Sequence, residues 1–270
     1  MNKQKPPKGI EWTRIKLSAD KIMPGYTWNP TGGCKHGCTW QMPDGSITEC
    51  YAKTIAERFK TGFPEGFDAH YWREHQLEKP LKVKTPSGIF VGSMADLFGH
   101  WVPQEQILQV IDIMRQADWH IFQTLSKFPI RLTEFNPFPD NVWVGVSLPA
   151  GHMMSKTGAA RALKAYLSHM TNVQAKVRFM SIEPLWFNVA PVLNDWLEEH
   201  DQLPFEWAII GAASNGSTVY QPEIEWTQGL LDLFDKLSIP VFFKGNMDWN
   251  SNDWREDFPL DKVNIQLELA

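Results

Sequence analysis

The chain has 270 residues, 43% of them hydrophobic and 21% charged, with a formal net charge of −5. That length and apolar share suit one large α/β domain with a full core. The acidic balance argues against a protein that coats DNA through many phosphate contacts, though not against a local basic groove. No stretch approaches the roughly 18–20 apolar residues of a membrane span, and residues 1–8 are polar and basic, unlike a secretory leader. A cytoplasmic protein is expected, one domain over residues 1–270, with an N-terminal extension over 1–25 and a tail over 248–270.

The first sharp feature in chain order is a cysteine loop. All three cysteines of the chain, Cys34, Cys38 and Cys50, lie between Gly33 and Tyr51. An odd count in a cytosolic-looking chain disfavours disulfides, and clustering in one short loop favours ligation. Three thiolates can hold three irons of a 4Fe–4S cube and leave the fourth open, whereas fully ligated clusters take four cysteines. Zinc held by the three cysteines and His36 is the rival, although His36 sits inside a tight Cys-x-His-x-Cys clip. Plain or redox-active cysteines, or a cluster used only for electron transfer, are further alternatives. Residues 41–49 separate the second and third cysteines and contain Pro43-Asp44-Gly45, a turn signal that predicts a small hairpin.

A helix is expected from Tyr51 to about residue 59. Six short apolar runs then read as strands, over 88–92, 120–125, 142–147, 177–182, 207–211 and 241–244. They are apolar nearly throughout, as strands of a parallel sheet covered on both faces are. Helical patterns fall between them over 103–116, 159–170 and 226–237, each with a periodic apolar stripe such as Ile107, Val110, Ile111 and Met114. The alternation predicts βαβ units and an α/β fold, a full or partial (β/α) barrel of about six parallel strands behind an N-terminal cysteine loop. Most of the 13 tryptophans are expected in the core and at its rim.

In such folds the active site forms at the carboxyl ends of the strands. The residues there are Ser93 and Asp96, then Gln123, Ser126 and Lys127, then Ser147, then Ser181 and Glu183, then Gly211 to Gly216, and finally Lys244. Each alone reads as a cap or turn residue. Their recurrence after six strands points to a shared pocket.

Cys34, Cys38 and Trp40 resemble the opening of the Cys-x3-Cys-x-aromatic-Cys motif of radical S-adenosylmethionine enzymes, with the third cysteine displaced to Cys50. The wider order of motifs resembles the phage- and mobile-element-associated three-cysteine-motif proteins, which are grouped with those enzymes. The matching stretches include Ile10-Glu11-Trp12-Thr13, Thr27-Trp28-Asn29-Pro30, Cys50-Tyr51-Ala52, Ser93-Met94-Ala95-Asp96, Phe122 to Lys127, Ser181-Ile182-Glu183-Pro184 and Phe242-Phe243-Lys244. Two departures stand out: the long gap follows the second cysteine here rather than the first, and Gly211-Ala212-Ala213-Ser214-Asn215 lacks the family's glutamate.

The resemblance implies a β/α barrel, a 4Fe–4S cluster on Cys34, Cys38 and Cys50, S-adenosylmethionine, and a reducing partner of the flavodoxin or ferredoxin type. It implies an enzyme that cleaves S-adenosylmethionine reductively and abstracts hydrogen from a small-molecule or nucleic-acid substrate, in the host cytoplasm if phage-encoded. Trp40 or Tyr51 would then contact adenine. Ser93 and Asp96 would hold the methionine or ribose end, and Ser147 and Glu183 would face ribose or substrate. Gly211 and Ser214 would let backbone approach adenine, and Gln123, Lys127 and Lys244 would bind substrate anions or donate protons. The competing class is a zinc-stabilised nucleic-acid-binding module with tryptophan stacking platforms.

Overall fold

A computed structural model describes residues 1–5, 9–42, 44–150 and 155–262. The N-terminal third contributes β1 (Asn2–Gln4), β2 (Gly25–Trp28), β3 (Thr31–Gly32), β4 (Thr39–Gln41), β5 (Ile47–Glu49), α1 (Tyr51–Arg58), β6 (Tyr71–Trp72) and α2 (Glu74–Leu77). The alternating part follows: β7 (Gly88–Val91), α3 (Gln104–Gln116), β8 (Ile121–Ser126), β9 (Val142–Ser147), α4 (Lys156–Met170), β10 (Val177–Ile182), α5 (Ala190–Glu199) and β11 (Trp207–Ile210). A short hairpin, β12 (Ala213–Asn215) and β13 (Thr218–Tyr220), precedes α6 (Ile224–Lys236) and β14 (Val241–Phe243).

The main sheet has eight strands in the order β1-β2-β7-β8-β9-β10-β11-β14. Every pairing from β2 to β14 is parallel, and only β1 joins antiparallel, on β2. The sheet curls into an open half-barrel. Seven parallel strands stand where about six were expected: the added one is β2, whose Gly-Tyr-Thr-Trp run is too short and mixed to signal a strand. β2 forms because Gly25 to Trp28 pair with Gly88 to Val91, a tertiary contact invisible to local pattern. The tail covers the other edge. Glu256 bridges Phe242, and Asp257 donates its N–H to the Val241 carbonyl, so β14 is not left open to strange strands. Residues 263–270 of the expected tail, and Pro43 of the expected turn, lie outside the described residues.

Side-chain alternation sorts the strands into two cores. Ile89, Phe122, Val144, Met180, Ile210 and Phe243 face out, against the buried stripes of α3 to α6. Phe90, Ile121, Trp143, Phe179, Trp207 and Phe242 face in. The segment before β2 plugs this inner side: Trp12, 3% exposed, packs 4.7 Å from Phe90 and 6.4 Å from Trp207 between ring centroids. A ring of this size removes about 150–250 Å² from water, a gross gain of about 4–6 kcal/mol. Much of the 1–25 extension is therefore the floor of the half-barrel.

Candidate functional site

The same two-residue alternation that sends Trp143, Phe179, Trp207 and Phe242 inward sends the next inward positions to the strand ends. These are Ser147, then Ser181 and Glu183, then Gly211, then Lys244. The aromatic plug thus ends in a polar layer. Above it opens a cavity of about 1280 Å³, larger than an ordinary small-molecule pocket. Its wall includes Cys34, Cys38, Cys50, Trp40, Tyr51, Ser93, Asp96, Lys127, Ser147, Ser181, Glu183, Ser214 and Lys244.

The hairpin expected over 41–49 is present and has a consequence for the cysteines. Thr39 pairs with Glu49 and Gln41 with Ile47, so Cys38 and Cys50 face each other across the open end. The Cys50 N–H donates to the Cys38 carbonyl at 3.1 Å. Cys34 is fixed by its N–H on the Phe67 carbonyl at 2.8 Å. Just before it, Gly33 has φ +82°, and a Cβ there would overlap the Ala69 carbonyl oxygen. Only glycine fits that turn.

Cys34 and Cys38 share one electrostatic environment. Burial pushes the Cys34 thiol well up, partly relieved by the His36 N–H, while the charges of Asp96, Cys38 and Cys50 raise it further. Burial likewise pushes Cys38 up, with Lys127 opposing and Cys50 and Asp96 adding. Thiolates set this close repel one another and are unfavourable alone, and they are favourable around a cationic metal core. Among the described residues, no three His, Cys, Asp or Glu side chains converge closely enough to clasp one metal ion.

His36, weighed above as a zinc ligand, directs Nε2 at Asp96 Oδ2, 2.7 Å away. Asp96 is 5% exposed. Its Oδ2 also accepts from Ser126 Oγ at 3.0 Å and from the Lys127 N–H at 2.9 Å, and its Oδ1 accepts from the Phe98 N–H at 3.0 Å. Asp96 is a knot that ties the cysteine loop to the end of β8, and both its oxygens are engaged within the protein.

Lys127 donates from Nζ to Ser147 Oγ and to the Leu148 carbonyl at 2.8 Å. The same nitrogen lies 6.0 Å from the Trp40 ring centroid. The Trp40 indole N–H is buried without a partner among the described residues. Tyr51 donates to the Ser93 carbonyl at 2.8 Å, and the Asn29 amide holds Ser93 Oγ at 3.0 Å and the Met94 N–H at 3.0 Å. Lys244 and Glu183 form an ion pair at the cavity floor. Burial lowers the Lys244 pKa, but the charge and hydrogen bond of Glu183 outweigh it, and the net shift is upward. Gly211 lies against this pair: a Cβ there would meet Glu183 Cγ at 3.0 Å and Lys244 Cδ at 3.1 Å.

Two expected site residues stand elsewhere. Gln123 is fully buried, with its amide on the Trp12 carbonyl at 3.1 Å; it holds the plug and is not part of the cavity wall. Gly211 is not on the wall either; its neighbours Ala212 to Ser214 are. The structure adds Asn29 and His36 as the partner of Asp96, and Ser181, expected at its strand end, is on the wall. Strand alternation counted from Phe179 marks Ser181 as inward; nothing local marks the roles of Asn29 or His36. The roof is made by the two hairpins, where Tyr220 OH donates to Asp44 Oδ2 at 2.5 Å and Thr48 Oγ1 lies 3.4 Å from Asn215 Oδ1.

No helix among the described residues is long and apolar enough to cross a membrane. No curated protein matches the chain. Among solved structures, it is similar to spore photoproduct lyase complexed with dinucleoside spore photoproduct, at TM-score 0.45 and 8% identity. It is also similar to a double mutant of that lyase with bound AdoMet and the same dinucleoside, at TM-score 0.42 and 8% identity. Each match covers 83% of this chain and 64% of the other, so the chain spans less than two thirds of those proteins. A family model described as "Protein of unknown function (DUF5131)" matches residues 9–264. With that match running from the inner plug to the tail on β14, the chain belongs to the DUF5131 family.

Proposed function

We propose that the chain is a radical S-adenosylmethionine enzyme whose Cys34, Cys38 and Cys50 hold a 4Fe–4S cluster. The observation that carries this reading is the β4–β5 hairpin, which returns Cys50 to Cys38 at the wall of a cavity over the strand ends. Three cysteines occupy three corners and leave one iron open to a ligand. When bound, the cluster and S-adenosylmethionine supply an electron and a 5′-deoxyadenosyl radical able to take a hydrogen atom from a substrate.

The chain's own residues bind, orient and shield. Lys127, with two N–H groups on Ser147 and Leu148, has a third to offer a carboxylate. Trp40 and Tyr51 present flat faces to an adenine, and Ser93 and Ser214 present hydroxyls nearby. Asp96 acts through His36, Ser126 and Lys127 by holding loop and strand end together. Glu183 and Lys244 place a charged pair where a substrate enters the floor. The two hairpins limit water above. An external one-electron donor of the flavodoxin or ferredoxin type completes the system, and a cytoplasmic setting suits these reduced thiols.

Anaerobic reconstitution tests the reading. About four irons per chain, with 5′-deoxyadenosine released from S-adenosylmethionine on reduction, is the expected result. Each cysteine-to-alanine variant is expected to lose the iron. A colourless chain that takes up stoichiometric zinc and no iron would overturn it.

A further inference from the structure

The charge of the cavity wall opposes that of the chain. Its carboxylates are Glu49, Asp96 and Glu183, and each already has a cationic or histidine partner: Lys53, His36 and Lys244. Its cations Arg73, Lys79 and Lys127 have no carboxylate partner among the described residues. In a chain of net charge −5, the cavity wall carries Arg73, Lys79, Lys127 and Lys244 against Glu49, Asp96 and Glu183, a small positive excess.

The same wall carries an exposed apolar stripe. Tyr51, Ile55 and Phe59 follow one another at four-residue spacing along and just past α1, and are 55%, 36% and 64% exposed. Ala52 and Ala56, on the other face, are buried. At 1.5 Å per residue the stripe runs about 12 Å, with an aromatic ring at each end. It leads from the cysteine loop towards Arg73, which donates from Nη2 to the Gly62 carbonyl at 3.1 Å and lies 4.7 Å over the Phe63 ring, and Arg73 and Lys79 both line the cavity. Large exposed apolar groups in a row mark a contact surface.

Aromatic faces beside cations that have no carboxylate partner among the described residues, along a groove that opens into a cavity, fit a strand of stacked rings linked by anions. We propose that this groove binds single-stranded nucleic acid, with a base on Phe59 beside Ile55, phosphates at Arg73 and Lys79, and one nucleotide reaching the cavity. The proposal deepens the enzymatic reading and rests on it only for the fate of that nucleotide; the binding itself needs no cluster.

The test is fluorescence anisotropy of the full chain with a labelled mixed-sequence 12-mer of single-stranded DNA. Affinity is expected to fall steeply between about 50 and 200 mM salt. Lys79→Gln is expected to weaken binding and to reduce the salt slope by about one. Phe59→Ala is expected to weaken it about tenfold, with Phe59→Trp restoring it; at 64% exposure Phe59 is dispensable to the core. The duplex form of the same oligonucleotide is expected to bind less well, because its bases cannot reach the stripe. Equal binding of duplex or of polyglutamate, indifference to Phe59→Ala, or no binding at all would each overturn the proposal. Release of 5′-deoxyadenosine is measured separately, so cleavage without strand binding sinks only the strand, and strand binding without cleavage sinks only the enzyme.

Discussion

Replacing Asp96 by asparagine tests whether a single carboxylate holds the cysteine loop onto the barrel. The wild-type Oδ2 accepts three hydrogen bonds, from His36, Ser126 and Lys127, and Oδ1 accepts a fourth from Phe98. Asparagine has one oxygen. With that oxygen at the three-donor position, its NH2 group meets the Phe98 N–H, donor against donor. The orphaned buried N–H costs about 1–3 kcal/mol, and the loss of charge on three bonds adds about 0.5–1 each. Burying an amide instead of a carboxylate offsets part of this. The net expectation is a loss of about 2–4 kcal/mol, or roughly 5–10 °C in melting temperature at about 2–3 °C per kcal/mol. Ser126→Ala, which removes one of the four bonds, is expected to lose about 1–2 kcal/mol. Urea unfolding of the two variants beside wild type measures both. Asp96→Asn within about 0.5 kcal/mol of wild type would show that the carboxylate carries no such load. The same variant is also expected to bind less iron on reconstitution, because the loop bearing Cys34 and Cys38 loses its anchor.

Further outcomes follow from the same geometry. Gly33→Ala forces a left-handed residue worth about 1–2 kcal/mol of strain and drives Cβ into the Ala69 carbonyl; lower iron content beside a cooperative but lowered melt is expected. Asp44 is held down to about 2, first by the Ser46 hydroxyl and then by the Tyr220 hydroxyl. Its contribution to the roof is therefore present above the ordinary aspartate value and is lost as pH falls through about 2. In Tyr220→Phe, carbon-detected NMR titration is expected to show the Asp44 midpoint rising. Lys244, lifted by Glu183 against the effect of burial, stabilises the fold below the ordinary lysine value and loses that contribution as pH rises through its higher folded value. Glu183→Gln is expected to bring the Lys244 titration down, since burial then faces a weaker opponent; an unchanged midpoint would remove Glu183 as the cause.

The clustering of Cys34, Cys38 and Cys50, and the turn at Asp44-Gly45, already contain the hairpin. Local backbone preference decides such a feature within a dozen residues. Six of the seven parallel strands were equally legible, because strands covered on both faces are apolar without interruption. Their order placed Ser147, Glu183 and Lys244 at one end of the sheet.

Other features depend on partners far along the chain. Gly25 to Trp28 become a strand only because β7 lies beside them. Within the extension expected over 1–25, Trp12, Ile15 and Met23 fill the interior, since an open half-barrel lined with aromatic side chains must be plugged by something apolar. Asp96 looks like a ligand contact by its place in the chain, but three donors from two distant segments have claimed one of its oxygens. Gln123 shares a strand end with Lys127, yet its side chain meets the plug. Periodicity tells which way a side chain points; only the folded chain decides what it meets there, because that depends on segments whose separation along the sequence carries no local signal.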